Sequence, residues 1–418
     1  MPQSLHEWLL HLESLHPKTI ALGLERVAEV KQLLQLDPAF PIIVVGGTNG
    51  KGSVCAMLEA MLHVAGYRVG CYTSPHLINY NERVRIAKRS ASDAELCASF
   101  EQIERVRGDI PLTYFEFGTL AAMQCFILHD VDVAILEVGL GGRLDAVNVF
   151  DSDCAVVTSI AIDHTDYLGN TREQIAFEKA GIFRAGKVAI FGDTDMPDTI
   201  AAQAQKTGAQ LWRLGREFSF KAGETQWDYQ GTNRRCSLSY PALRGAFQLN
   251  NASTVLAVLD AMRERFPVSM AAVRRGLMEV ELAGRFQVLP GSPLLILDVA
   301  HNPHAAHSLA QNLASMPCGA KTYAVCAMLK DKDMAGVVRE LQQQVDVWLV
   351  AGITAPRGAT ADELGSAVRE VLADGEILSF TTVTEALNHA CKVAGENDRI
   401  IALGSFYTVA EAMRAKYA

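Results

Sequence analysis

The sequence predicts an α/β protein built from two parallel-sheet domains in tandem, the first larger and interrupted by a small antiparallel excursion. Three observations predict it. At 418 residues the chain exceeds the length at which a single hydrophobic core keeps growing. Short β-branched runs recur and stop at glycines, with helix-period segments between them. Between about 211 and 245 the texture changes to brief alternating segments, and a Pro- and Gly-rich stretch comes later, at 290–293.

Taken in order, residues 42–45 (Ile-Ile-Val-Val) form a strand suited to burial on both faces of a parallel sheet. Val54, Met57, Leu58, Met61, Leu62 and Ala65 keep a helical period, closed by Gly66 as the residue after the helix. Residues 133–136 running into Glu137, 155–157 running into a polar loop, and 188–191 ending at Gly192 extend the sheet, with their C-terminal ends on one edge. Residues 216–220 and 235–239, with a Gly-containing turn at 230–233, make the antiparallel excursion. A second strand series follows at 294–298, 323–326, 347–350 and 400–403. Pro290-Gly291-Ser292-Pro293 reads as a linker dividing residues 1–287 from 288–418.

Composition excludes several classes. Apolar residues make up 49% of the chain and charged residues 20%, and no apolar run approaches the roughly 20 residues of a membrane span. Met1-Pro2-Gln3-Ser4-Leu5-His6-Glu7-Trp8 has neither a basic leader nor a small-residue cleavage pattern, so the expectation is a cytoplasmic protein. The nine cysteines occur singly, without a Cys-x-x-Cys pair, as reduced thiols do. A net charge of -9 argues against nucleic-acid binding.

The chemistry begins at Gly46-Gly47-Thr48-Asn49-Gly50-Lys51-Gly52-Ser53, between the first strand and a helix. Such a turn aims successive backbone N–H groups and a helix dipole at one point, which suits a polyphosphate, and Lys51 adds a cation. Gly52 is an insertion relative to the common G-x-x-x-x-G-K-S/T pattern. It moves the hydroxyl of Ser53 one position later, so a metal needs other oxygens. Glu137, at the end of a strand on the same edge, is a candidate magnesium ligand. His164 stands between Asp163 and Asp166 just past a strand, where it is either a solvated loop histidine or an imidazole that a carboxylate orients toward a metal. The recurrence of His301, His304 and His307 is not a metal site. Pro303 starts a helix, which leaves His301 outside it, and no acidic ligand accompanies the three.

Six ordered motifs resemble the folylpolyglutamate synthase/dihydrofolate synthase family. They are Gly47-Thr48-Asn49-Gly50-Lys51-Gly52-Ser53, Tyr72-Thr73-Ser74-Pro75-His76-Leu77, Glu137-Val138-Gly139-Leu140-Gly141-Gly142-Arg143-Leu144-Asp145, Asp163-His164-Thr165-Asp166-Tyr167-Leu168-Gly169, Glu178-Lys179-Ala180-Gly181-Ile182 and Asp298-Val299-Ala300-His301-Asn302-Pro303. The resemblance implies a Mur-ligase-like architecture, with a P-loop ATPase domain, a smaller Rossmann-like C-terminal domain and an active site between them. The implied reaction activates a carboxylate as an acyl phosphate with ATP, and the amino group of L-glutamate then attacks. Magnesium, as two ions, and often potassium assist.

The resemblance also assigns residues. Lys51, Glu137, His164 and Lys179 are implied to be catalytic, with Ser74, Glu137 and His164 as metal ligands and Lys179 carbamylated. ATP is implied to contact Thr48, Asn49, Gly50, Lys51, Gly52, Ser53, Asn251, Arg285, Asp298 and His301. Thr113, Phe115, Asp145 and Ala146 are implied to contact the pterin of dihydropteroate, where a flat ring needs stacking and a hydrogen-bond acceptor. Apart from the resemblance, Gly404-Ser405-Phe406-Tyr407, at the end of a C-terminal strand, is a candidate lining of the glutamate pocket. The expected substrates are dihydropteroate, reduced folates, L-glutamate and ATP, handled by a monomer without nucleic acid or membrane partners. A folylpolyglutamate synthase lacking the dihydropteroate reaction is the alternative. A nucleotide-gated switch is the reading from another class, against which stands the absence of an Asn-Lys-x-Asp guanine motif.

Overall fold

The computed structural model describes residues 2–16, 21–245, 247–316 and 320–417. The chain falls into two compact units, Met1–Ala242 with Leu249–Val280, and Leu243–Gln248 with Glu281–Ala418. Both are α/β, as the sequence predicts.

The first unit is organised by an eight-stranded sheet. Its strands are β1 (Ile42–Gly46), β2 (Val69–Tyr72), β3 (Val84–Ile86), β4 (Arg89–Ser90), β5 (Val133–Glu137), β6 (Cys154–Val157), β7 (Val188–Phe191) and β8 (Gln210–Arg213), in spatial order β4-β3-β2-β5-β1-β6-β7-β8. From β2 to β8 all pairings are parallel, and β3 and β4 add an antiparallel edge. Every residue of β1 is buried, because helices cover both faces of a parallel sheet and leave no polar side for alternation. The helix Lys51–Val64 is buried continuously from Ser53 to Leu62 and the helix Tyr114–Leu128 from Glu116 to Phe126. Helices apolar all round belong inside a core.

The parallel register matters for function. Val45 pairs with Glu137, Gly46 with Val157, and Tyr72 with Leu136. The loops leaving β1, β2, β5 and β6 therefore emerge side by side at one sheet edge, where ligands of such folds bind.

The antiparallel excursion is smaller than expected. Residues 210–213 belong to the main sheet as β8, because they pair in parallel with β7. The excursion is a three-stranded sheet of β9 (Ser219–Ala222), β10 (Gln226–Gln230) and β11 (Arg235–Ser239) in order β11-β10-β9. The buried carboxylate of Asp260, on the helix Gln248–Ala261, anchors it. Asp260 accepts hydrogen bonds from Tyr229 Oη at 3.1 Å and from Asn233 N and Nδ2 at 3.1 and 2.8 Å, with Arg235 Nη2 at 3.5 Å.

In the second unit β12 (Gln287–Leu289), β13 (Leu294–Leu297), β14 (Thr322–Cys326), β15 (Val347–Ala351), β16 (Glu376–Phe380) and β17 (Arg399–Leu403) form a sheet in order β12-β13-β17-β14-β15-β16. All pairs but β12–β13 are parallel. Residues 290–293 are not a linker but the turn of the β12–β13 hairpin. The units divide between Val280 and Glu281, which places Arg285 in the second unit rather than the first. The reason is local: Phe286 is buried in that unit's core, and its N–H donates to Asp298 Oδ2 at 2.8 Å. The strand β16, whose side chains are only partly buried, carries little of the apolar signal that marks its neighbours.

No helix among the described residues is long and apolar enough to cross a membrane. The eight described cysteines are free thiols, five of them buried; Cys318 lies outside the described residues.

Asp260→Ala leaves Tyr229, Asn233 and Arg235 without their shared acceptor in a buried setting. The expected loss is about 3–5 kcal/mol of stability, read by chemical denaturation, with hydrogen exchange speeding up first in β10 and β11.

Candidate active site

The loop after β1 is shaped by two left-handed glycines. Gly47 has φ +133, and a Cβ there would lie 1.9 Å from Thr158 Oγ1. Gly50 has φ +91 as the residue before the helix Lys51–Val64, and a Cβ there would meet Asn251 Oδ1 at 2.7 Å. Any other residue at either position strains the backbone and collides. Asn251 is thereby placed against the loop.

The segment after β6 holds the loop from the other side. Thr48 Oγ1 donates to Ala161 O at 3.2 Å and accepts from Ala161 N at 3.0 Å. Thr158 Oγ1 donates to the Asn49 carbonyl at 2.6 Å, and Ser159 Oγ accepts from Asn49 N at 3.2 Å. Sequence reading treats residues 158–161 merely as a polar loop. The Thr-Ser pair directly after a buried strand is the signal it passes over.

Lys51 opens the helix and turns back on the loop, donating from Nζ to Gly47 O at 3.0 Å and Thr48 O at 3.1 Å. Lys179 reaches the same carbonyl, with Nζ 2.9 Å from Gly47 O. It is not an exposed helix lysine but only 5% exposed. Burial and the nearby Lys51 ammonium push its pKa down to about 7, against the opposing pull of Asp163 and Asp145. Ser53 is buried in the first turn of the helix.

Glu137 is buried at the end of β5, and its Oε2 accepts the Ser74 N–H at 3.0 Å. The pairing of β2 with β5 brings these two together. His164 sits at φ +52, left-handed and non-glycine. Asp163 supports this turn by accepting the His164 backbone N–H at 2.8 Å, while its other oxygen lies 4.0 Å from the ring Nε2. The carboxylate thus holds the backbone of the turn and lies near the ring, and Asp166 is exposed. Glu137 and Ser74, brought together by the Ser74 N–H contact, supply a carboxylate and a hydroxyl, oxygen donors that suit a hard divalent ion completed by water, and His164 offers an imidazole in the loop after β6.

Thr113 opens the segment that carries the aromatic residues Tyr114, Phe115 and Phe117. It is the N-cap of the helix Tyr114–Leu128, its hydroxyl accepting the Glu116 N–H at 3.2 Å while Glu116 Oε2 accepts the Thr113 N–H at 2.7 Å. The aromatic cluster is therefore that helix's first turn. The Phe115 ring packs on Gly139, where a Cβ would lie 2.7 Å from Cζ, and stands 5.7 Å from Tyr72. Asp145 caps the short helix Ala146–Val149, accepting from Val147 N at 3.1 Å and Leu140 N at 2.8 Å. Burial raises its pKa to about 7 despite these donors and Lys51. Ala146 is buried beside it.

In the second unit, Asp298 follows β13 and accepts from Phe286 N and Ala300 N, each at 2.8 Å. Burial raises its pKa, with Arg285 pulling the other way. The Arg285 guanidinium lies 5.1 Å from the Phe406 ring centroid. His301 Nδ1 is 2.8 Å from Val299 O. His307 pairs instead with Glu340 at 2.8 Å, and His304 stacks edge-on against Phe247. The three histidines thus have three different neighbours. Ser405 is buried and bonded to Thr408, Phe406 underlies Arg285, and Tyr407 is exposed.

Comparison with known proteins supplies the context for this arrangement. The Mur ligase middle domain matches residues 45–259, and the Mur ligase glutamate ligase domain matches residues 284–406. The dihydrofolate synthase/folylpolyglutamate synthase of Escherichia coli (strain K12) is 48% identical over 413 residues, 98% of this chain and 94% of that protein. The chain belongs to the dihydrofolate synthase/folylpolyglutamate synthase family. The structure of E. coli FolC in complex with DHPP and ADP superposes with a TM-score of 0.94 at 46% identity, covering 100% of this chain and 99% of that one. A bifunctional folylpolyglutamate synthase/dihydrofolate synthase with Mn, AMPPNP and L-glutamate bound gives a TM-score of 0.92 at 49% identity, covering 100% and 98%. Members of this Mur-type family are ligases that form carbon–nitrogen bonds.

The two shifted pKa values make a pH prediction. Lys179 titrates at about 7 in the folded protein against an ordinary 10.5, so the unfolded chain binds more protons between those values and stability rises with pH there. Asp145, raised from 3.8 to about 7, works oppositely, contributing stability below pH 3.8 that is lost as pH rises through 7. Lys179→Met removes only the first effect. Denaturation at pH 7 and pH 9 should show the native protein gaining stability relative to the variant at the higher pH.

Proposed function

We propose that this protein joins L-glutamate to dihydropteroate, giving dihydrofolate, and to reduced folates, giving folylpolyglutamates, each time at the expense of ATP. The observation that carries this reading is the single sheet edge at which the phosphate loop, the Ser74–Glu137 pair and the segment from Gly139 to Asp145 emerge from adjacent strands, with the Phe115 ring packed on Gly139. One surface thus presents phosphate, acid and flat-ring recognition together.

The residues take the following parts. The loop N–H groups and Lys51 hold the ATP phosphates, Lys51 exchanging its two carbonyl partners for phosphate oxygens. Glu137, Ser74 and His164 hold magnesium, which offsets negative charge on the phosphates when bound. Phe115 stacks on the pterin, and Thr113, Asp145 and Ala146 line its edge. Asp145 near its midpoint at neutral pH can either donate to or accept from a pteridine. The substrate carboxylate attacks the γ-phosphorus, ADP leaves, and the resulting acyl phosphate is attacked by the glutamate amine with loss of phosphate. Arg285, Asp298 and His301 form a local cluster of the second unit suited to recognising the nucleotide, and Ser405 to Tyr407 lie at the end of β17, suited to glutamate.

Lys179 is a candidate for carbamylation. An amine with a pKa of about 7 is substantially neutral at physiological pH, the form that adds to carbon dioxide, and the product is an anionic oxygen ligand in place of a cation beside Lys51. Labelled bicarbonate should give a carbamate carbon resonance that disappears in Lys179→Met. A monovalent cation, a monomeric state and a cytoplasmic setting complete the proposal, the first checked by turnover with and without potassium and the second by sedimentation.

The deciding assay supplies ATP, magnesium, glutamate and dihydropteroate. The expected products are ADP and a species one glutamyl unit heavier. With tetrahydrofolate in place of dihydropteroate, extension is also expected, whereas extension alone would identify a folylpolyglutamate synthase without the first activity. Lys51→Ala should fold normally and form no ADP, and near-native turnover by this variant would refute its assigned part.

A further inference from the structure

The arginines around the proposed pterin region are paired with acids: Arg26 with Glu116 at 2.9 Å, Arg85 with Glu59 at 2.9 Å and Arg143 with Glu178 at 2.8 Å. Arg83 differs. Its Nε donates to His76 Nδ1 at 2.9 Å, and its guanidinium lies 5.3 Å from the ring centroids of both Tyr80 and Tyr114. Among the described residues no carboxylate pairs with it and its two terminal amino groups have no hydrogen-bond acceptor. Two aromatic faces and one imidazole hold a planar cation in a set orientation, with its fork of donors uncommitted.

Its location is as informative as its surroundings. The Arg83 carbonyl accepts the Thr73 N–H at 2.9 Å, one residue from Ser74, whose own N–H binds Glu137. Tyr114, under the guanidinium, lies between Thr113 and Phe115 in sequence. Arg83 therefore stands beside both the aromatic region and the sheet edge proposed for catalysis.

We propose that Arg83 binds the α-carboxylate of the terminal glutamate of a folate substrate, making it a specificity-determining residue for chain extension. The inference rests on the functional reading above. An oriented guanidinium matches a carboxylate bidentately. The carboxylate that reacts is a poor candidate, because its oxygen must attack phosphorus and a bidentate guanidinium would occupy its lone pairs. The α-carboxylate is spectator to the reaction and can stay bound throughout. Dihydropteroate has no such group, so the two substrates should respond differently to the loss of Arg83.

The test compares native enzyme and R83Q with dihydropteroate, tetrahydrofolate and tetrahydrofolate carrying an α-amide. R83Q should lower kcat/KM for tetrahydrofolate by about tenfold to a hundredfold more than for dihydropteroate, the scale of a charged hydrogen-bonded pair. The native enzyme should prefer tetrahydrofolate to its α-amide by a similar factor, and R83Q should lose that preference. A merely structural arginine would depress both reactions alike and leave the preference intact, which would overturn the proposal. If R83Q fails to fold, the native enzyme and R83K decide: equal use of tetrahydrofolate and its α-amide by the native enzyme overturns the proposal, and a reduced preference in R83K supports it. A native enzyme that ligates glutamate to neither substrate overturns the functional reading itself, and this inference with it.

Discussion

Two lysine ammonium groups converge on one carbonyl oxygen, that of Gly47, and much of the candidate site depends on that convergence. Lys51 arrives from the helix that the loop begins, and Lys179 from a helix far along the chain. Lys179 is buried and meets the half-buried Lys51 at one dipole, so the two cations repel each other and desolvation disfavours the charged form of Lys179. The conflict is relieved by moving Lys179 toward its neutral form, with its pKa near 7, and by the nearby carboxyls of Asp145 and Asp163. A region otherwise hostile to positive charge thus becomes one that welcomes anions. Polyphosphate bound at the loop would satisfy Lys51, and an anionic modification at Lys179 would remove the remaining repulsion.

The inserted Gly52 belongs to the same logic. With Gly50 in the left-handed conformation before the helix and Lys51 as its first residue, Ser53 falls in the buried part of the first turn. A metal-binding oxygen must then come from elsewhere on the edge. The parallel register supplies candidates: Glu137 is the last residue of β5, and the end of β2 leads directly to Ser74. Capping carries the remaining positional information. Thr113, Asp145 and Asp163 each spend side-chain oxygens on backbone N–H groups, so these polar residues set the geometry of their loops as well as offering recognition groups.

Sequence reading goes furthest where periodicity and glycine are strong. The β1, β5, β6 and β7 strands and the helix after the phosphate loop are each dictated by continuous burial, which leaves an unbroken apolar run. It goes astray where burial is partial. β16 and β8 are edge strands with weak apolar content, so the first escapes notice and the second merges with the antiparallel excursion. The Pro290–Pro293 turn looks like a linker because a hairpin and a domain boundary share the same residue types. Arg285 changes unit for that reason. Arg83 carries no motif of its own, and its aromatic setting arises from residues more than thirty positions apart in the chain.

By itself the sequence determined the α/β class, the phosphate loop with its displaced hydroxyl, and the six ordered motifs that place the chain in its family, because these are carried by local spacing and residue type. The tertiary structure alone decided which backbone N–H groups the site carboxyls hold, the meeting of Lys51 and Lys179 at one carbonyl, and the setting of Arg83. Those depend on burial and on contacts between distant segments, which set charge state and orientation and leave no local trace in the order of residues.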